Sequence, residues 1–349
     1  MTARAASNSM LGAAWVAGML LLAVSQAARG AQVQAFASVE AGSAGICIEA
    51  PVFLPSNPFS GVYGVPAQGS TFNSCGFDGG SGASTKTAAS GPVTANWSAT
   101  HSGTQGGFTG SSQAIARYGM VGAAAQGTTT MGGNFMGNAA GAYGLFSDTL
   151  TMTSPSHAAG SAGAVQFQFT VDGSISVTNG AFDPNVSMLL GHADALIGVQ
   201  VNNTSAQAPF NATAVLFGTQ TGQVRPAGGF TTGIGSVSGT ATVTTAAFPI
   251  NFGVPYDLTA GLLAEAYAQT ESTATGTAAA SFLTTAKLTG IEVLDASNHV
   301  VSDFSIQSAS GTAYGANGVV PEPSIVTCLL LGLAMTFRQP IRRLCARRT

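Results

Sequence analysis

The chain has 349 residues, 45% hydrophobic and only 7% charged, with 46 glycines; an ordinary globular domain is roughly 25% charged. That length is ample to bury a core. The scarcity of charge excludes a highly charged disordered chain and a conventional nucleic-acid binder, which needs Lys and Arg against phosphates.

The net charge of −3 averages unlike pieces. Between Arg29 and Pro321 lie four bases and thirteen acids, net −9; the two ends hold seven bases and one acid, Glu322. Basic ends on an acidic body are what processed targeting segments produce.

Residues 1–27 read as a secretory signal peptide. Arg4 supplies the positive start, and Leu11 to Val24 is an uncharged, mostly apolar stretch. Ser25-Gln26-Ala27 then places small residues at −3 and −1, so cleavage is expected after Ala27. Fourteen apolar residues fall short of the roughly 20 that a membrane helix needs.

Residues 28–319 form the exported body. Its first part, to about Ser161, is rich in Gly, Ala, Ser, Thr and Asn, with Pro51, Pro55, Pro58 and Pro66 early on and poor periodicity. Such a stretch suits turns and short strands, or a low-complexity segment; composition leaves both readings open. Cys47 and Cys75 are a candidate disulfide in an exported chain. The bridge would close a loop worth roughly 3–4 kcal/mol in the chain-entropy treatment.

Residues 160–315 are the most strand-like. Val165, Phe167, Phe169 and Val171 alternate with polar residues, Asp172-Gly173 follows, and Ile175 and Val177 alternate again. This predicts a hairpin turning at Asp172-Gly173. Ala195 to Val201, Phe210 to Thr219 and Ser236 to Thr245 are further strand candidates. Leu258 to Gln269 has helix-forming residues, but Leu258, Ala260, Leu262, Ala264, Ala266 and Ala268 fall on one parity, which predicts a long strand. Phe282 to Leu294 and Val300 to Gln307 complete the set, with a turn at Asp295 to Asn298. Eight or more short strands with regular turns predict an all-β fold: an antiparallel β-sandwich or jelly roll.

Residues 320–349 have three parts in order. Pro321-Glu322-Pro323 can continue neither helix nor strand. Ile325 to Phe337 is an apolar run, read as a hydrophobic helix for transient membrane insertion. Arg338, Arg342, Arg343, Arg347 and Arg348 form a tail that resists translocation and serves as a membrane-retention element. The run spans about 20 Å as a helix, short of the ~30 Å hydrocarbon core.

This tail resembles the PEP-CTERM sorting signal of exported Gram-negative proteins. By that resemblance Pro321, Glu322 and Pro323 correspond to the motif recognised by an exosortase, a membrane protease-transferase that cleaves nearby. The resemblance implies export through the translocon, and retention at the cell envelope, the outer surface or the extracellular matrix. It also implies a cell with an exopolysaccharide or biofilm programme. The family's apolar run is usually longer. Residues from Thr277 to Tyr314 loosely resemble the terminal strands of PEP-CTERM passenger domains.

Little in the body points to chemistry. His101, His157, His192 and His299 form no zinc spacing. His192-Ala-Asp194 would share one strand face, which is not a metal site on its own, and His299 beside Asn298 is expected to be solvated. Gly233 to Gly239 resembles a dinucleotide loop one residue out of register, and there is no nucleophile elbow or P-loop. Asp172, Asp183 and Asp194 are too widely spaced for an EF-hand, although an acidic exported β-protein leaves calcium open. No cofactor is expected. Asn96, Asn202 and Asn211 head glycosylation triplets, which carry no weight in a bacterium. Trp97, Tyr118 and Tyr267 are the aromatics that could stack on sugars.

The reading that follows is an exported, non-enzymatic surface or matrix protein with exopolysaccharide as a candidate partner. Two alternatives stand beside it: a carbohydrate-binding module, and a secreted hydrolase whose paired carboxylates or Ser/His pair only the fold would assemble.

Overall fold

A computed structural model describes residues 31–43, 82–103, 106–131, 136–179, 189–202, 204–205, 209–217, 219–225, 228–270 and 275–320. The signal peptide with Ala27, Cys47, Cys75, the Pro321-Glu322-Pro323 motif, the apolar run and the arginine tail lie outside these residues.

The described chain is all-β. In order the strands are β1 (Gln32–Ser43), β2 (Gly82–Ala88), β3 (Val93–Gly103), β4 (Gly106–Arg117), β5 (Met120–Met131) and β6 (Met136–Thr153). Then come β7 (Ala162–Asn179), β8 (Leu189–Val201), β9 (Thr204–Ser205), β10 (Phe210–Phe217), β11 (Thr219–Arg225) and β12 (Phe230–Gly233). The last are β13 (Ser236–Thr244), β14 (Phe248–Asn251), β15 (Pro255–Thr270), β16 (Thr275–Asp295), β17 (Ser305–Ser308), β18 (Tyr314–Gly315) and β19 (Gly318–Val319).

The first seventeen form two antiparallel sheets packed face to face, and β18 and β19 pair as a separate two-stranded hairpin. Sheet A runs β11-β10-β8-β15-β6-β1-β2, with β17 on β6 and β9 on β8. Sheet B runs β12-β13-β7-β16-β5-β4-β3, with β14 on β7. The expected sandwich is therefore present, but from longer strands than the turn signals suggested, and regular strands also fill residues 82–153.

Alternation sets the core. In β7, Val165, Phe167, Phe169, Val171, Ile175 and Val177 face inward and are buried. In β15 the even positions from Leu258 to Ala268 do the same, as their parity predicted. The large rings Phe146, Phe167, Phe169, Phe210, Phe252 and Phe282 are fully buried. Alanines share the same core, among them Ala35, Ala37, Ala114, Ala123, Ala140 and Ala142, with Ala123 paired to Phe282. Each buried ring contributes roughly 1.5–3 kcal/mol and each alanine much less. Small residues instead permit close approach: a Cβ on Gly144 of sheet A would lie 2.3 Å from the Ile115 carbonyl oxygen of sheet B.

One expectation is corrected here. Asp172-Gly173 is not a turn; β7 runs straight through it. Gly173 pairs with Gly239, and a Cβ on it would fall 2.3 Å from the Phe282 ring. The glycine makes room for a core phenylalanine. The turn at Asp295 to Asn298 does form: Asn298 has φ 62°, and Asp295 Oδ1 accepts from the amides of Ser297 and His299. β17 begins later than expected, at Ser305, while Val300 makes only an isolated bridge to Leu294.

Residues 305–320 cap one end of the sandwich. β17 joins sheet A, and the Ile291 amide of sheet B donates to the Ala316 carbonyl at 3.0 Å. Beneath them Asp148, 2% exposed, accepts from the Ser310 amide, the Ser310 hydroxyl and the Tyr314 hydroxyl. The hairpin of β18 and β19 closes with the Val320 amide donating to the Ala313 carbonyl at 2.9 Å.

Candidate functional site

The fold assembles three groups of polar side chains, each on a different part of the sandwich. The first lies on the outer face of sheet A. His192 and Asp194 share one face of β8, as their spacing predicted. Register then places Glu265 of β15 directly opposite Asp194, and Tyr267 opposite His192. Glu265 is 6% exposed, and Asp194 Oδ1 is shielded from solvent with no hydrogen-bond partner. Burial pushes the Glu265 carboxyl well above the usual carboxylate range, and the negative charge of Asp194 adds to this. Burial raises Asp194 too, against a smaller opposing pull from His192. Desolvation and the repulsion between two adjacent carboxylates both favour the protonated form, and His192 offsets this only in part at Asp194. Their neighbours on this face are apolar: Phe36 stacks on Tyr143 at 5.3 Å, and Leu196 and Leu263 are buried beside them.

The second group joins the Ser154–His157 turn to Asp303. The hydroxyls of Ser154 and Ser156 both donate to Asp303 Oδ1, at 2.8 and 3.0 Å. These two bonds hold the Asp303 carboxyl below its usual range. Ser156 Oγ also lies 2.9 Å from His157 Nδ1. Ser154 Oγ lies 2.9 Å from Ser156 Oγ and 3.3 Å from His157 Nδ1, so the direction of the serine–histidine bond follows the tautomer of the ring. A nucleophilic relay places histidine between serine and carboxylate. Here Ser156 lies between His157 and Asp303, within hydrogen-bond distance of both, an order different from that of the relay. The histidine ring packs on Phe252 at 4.7 Å. The cluster clasps two loops together.

The third group is a groove of about 380 Å³ on the outer face of sheet B, lined by Asn96, Ser98, Ser111, Gln113, Gln126 and Ser281, with Ala124 and Ala279 at its floor. It is open and free of charged side chains.

The aromatic candidates fall elsewhere. Trp97 contributes to the groove wall, but register puts its side chain on the inward face with Ser112, Ala125 and Ala280. Its ring lies across the sandwich edge, so close to Gly82 of β2 that a Cβ there would meet it at 2.1 Å. Tyr118 donates to the Ala89 carbonyl at 2.7 Å, and burial with the charge of Asp148 pushes it up to about 12. Tyr267 is buried on sheet A and pushed up to about 12 by that burial.

The chain matches no family model, no curated protein and no solved structure. The sites therefore stand on their own geometry. Among the described residues no group of three or more His, Cys, Asp or Glu side chains is placed to hold a metal ion, and no helix is long and apolar enough to cross a membrane. His299 is 80% exposed, 3.5 Å from Asp295. Gly233 to Gly239 is the β12–β13 hairpin, with Ile234 exposed at its tip. Asn202 Oδ1 accepts from the Asp257 amide and Asn211 Oδ1 from the Thr213 hydroxyl.

Sequence reasoning missed Glu265 as the partner of Asp194, and Asp303 as the partner of Ser154 and Ser156. No motif links residues 71 or 149 positions apart. Only strand register or loop closure brings such residues together.

Proposed function

We propose that this chain is an exported, non-enzymatic protein of the cell surface or extracellular matrix of a Gram-negative bacterium. Its PEP-CTERM-like tail directs sorting and cleavage by an exosortase-type enzyme, and it associates with exopolysaccharide. The translocon passes the body outward, the apolar run pauses in the bilayer, and the arginines resist following.

The observation that supports this reading is where the sandwich is completed. The β18–β19 hairpin is tied to both sheets, and its last hydrogen bond is made by Val320. The next residue is Pro321, the first of the motif. Cleavage near the motif would remove no strand of the described fold. The spatial order His157–Ser156–Asp303, which is not that of a nucleophilic relay, also favours this reading over the hydrolase.

The test is intact-mass analysis of the protein from cells, matrix and medium, for the wild type and for a variant with Pro321, Glu322 and Pro323 replaced by alanine. The wild type is expected to lose its tail and the variant to keep it. The same tail on both would reject the proposal.

A further inference from the structure

The two outer faces of the sandwich differ in kind. Sheet A carries buried apolar rings and the carboxyl pair. Sheet B presents rows of uncharged hydroxyls and amides, held in line by register. One row runs Asn96, Gln113, Ala124, Ser281, Ser174 across β3, β4, β5, β16 and β7. The next runs Ser98, Ser111, Gln126, Ala279, Ser176. A third is threonine on all five strands: Thr100, Thr109, Thr128, Thr277 and Thr178. None of the three rows contains a charged residue. The groove of about 380 Å³ lies over the first two.

We infer that this face binds a neutral polysaccharide, laid across the strands with the groove holding part of it. The inference rests on the matrix reading above and names the chemistry of the partner. A sugar ring has an apolar C–H face and a rim of hydroxyls. The groove offers the matching surfaces: the methyl groups of Ala124 and Ala279 below, and Asn96, Gln113, Gln126 and Ser281 around them. Amides and hydroxyls both donate and accept, as sugar hydroxyls do.

Strands lie about 4.8 Å apart, so an extended chain crossing them meets a polar side chain on four of the five strands in each of the first two rows and on all five in the third. The third row continues that contact beyond the groove, and Thr178 and Thr277 are already joined hydroxyl to hydroxyl at 2.6 Å. An acidic polymer finds no cation in these rows; the cations of this face, Arg117 and Lys287, lie outside them and outside the groove lining. Trp97 reaches the groove only at its wall, because its ring lies at the sandwich edge beside Gly82.

The experiment is affinity electrophoresis of the full chain without its signal peptide, in gels containing a soluble β-glucan, a galactomannan or, as the acidic control, alginate. Retardation is expected in at least one neutral polymer and not in alginate. Ala279→Glu and Gln126→Glu, which put a carboxylate into the groove, are expected to weaken retardation about tenfold or more. Thr242→Glu on exposed β13 is expected to leave it unchanged.

Thermal unfolding of each variant checks that the fold survives. Should Ala279→Glu unfold, the double variant Gln113→Ala/Gln126→Ala replaces it with the same expected loss. Migration unchanged by both neutral polymers, retardation by alginate alone, or equal weakening by Thr242→Glu would overturn the inference. The tail-mass assay is independent. A protein that is cleaved and retained but ignores glycans sinks only this inference, and one that binds a glycan but keeps its tail sinks only the sorting reading.

Discussion

The Tyr314 hydroxyl donates to Asp148 Oδ2 at 3.0 Å, joining residues 166 positions apart. Asp148 is buried at the end of β6, and its other partners come from Ser310. One carboxylate therefore holds the C-terminal cap against sheet A. Tyr314→Phe should cost about 1.5–3 kcal/mol, the range for a hydrogen bond to a charged group. Asp148→Ala should cost more, since it removes three bonds and leaves donors buried. Urea unfolding of both variants checks the order, and a Tyr314→Phe as stable as wild type contradicts the role given to this pair.

Gly173 and Phe282 form a second pair that only packing explains. Gly173→Ala puts a methyl 2.3 Å from the ring and 2.6 Å from the Ser281 carbonyl oxygen. Overpacking of this kind costs about 1–3 kcal/mol. Phe282→Leu should recover part of that loss, so a double-mutant cycle should show coupling. Additive effects would mean that the ring does not demand the glycine.

Glu265 and Asp194 make stability depend on pH. Both carboxyls are raised in the folded state, chiefly by burial. A raised carboxyl favours the fold while protonated. That contribution is complete below the unfolded value of about 4 and is lost as pH rises through the folded value. Melting temperature should therefore fall as pH rises above about 4. Glu265→Gln, which stays neutral, should flatten the profile and be the more stable protein near neutrality. A profile unchanged by Glu265→Gln would refute the assignment.

The Ser154, Ser156, His157 and Asp303 cluster should be chemically quiet. A fluorophosphonate probe should label neither serine in the folded protein, because the histidine does not sit between serine and carboxylate. Labelling that disappears in His157→Ala would show that the histidine does activate a serine.

Much of the fold was legible because burial on one face imposes a period of two. The parity of Leu258 to Ala268 identified β15 despite its helix-forming alanines, and Val165 to Val171 showed the inward face of β7. Asp172-Gly173 misled because glycine has two uses. In a tight turn it supplies backbone freedom; here it supplies space, and the ring that needs the space lies 109 positions away. Residues 82–153 were ambiguous because alanine, glycine, serine and threonine carry little hydropathy contrast. Their strands depend on register with neighbours more than on their own pattern.

The sequence by itself determined the class of fold, the uneven charge and the form of the two terminal segments, because each is a property of local composition and order. It also placed His192 and Asp194 on one face, because they lie two residues apart in a strand. Only the tertiary structure decided that Glu265 faces Asp194, that Trp97 turns inward, that Asp148 receives the cap, and that the polar rows of five strands align into one uncharged surface. Those relationships are set by cross-strand register and by the packing of one sheet on the other. Both join residues far apart in the chain, and no local pattern encodes them.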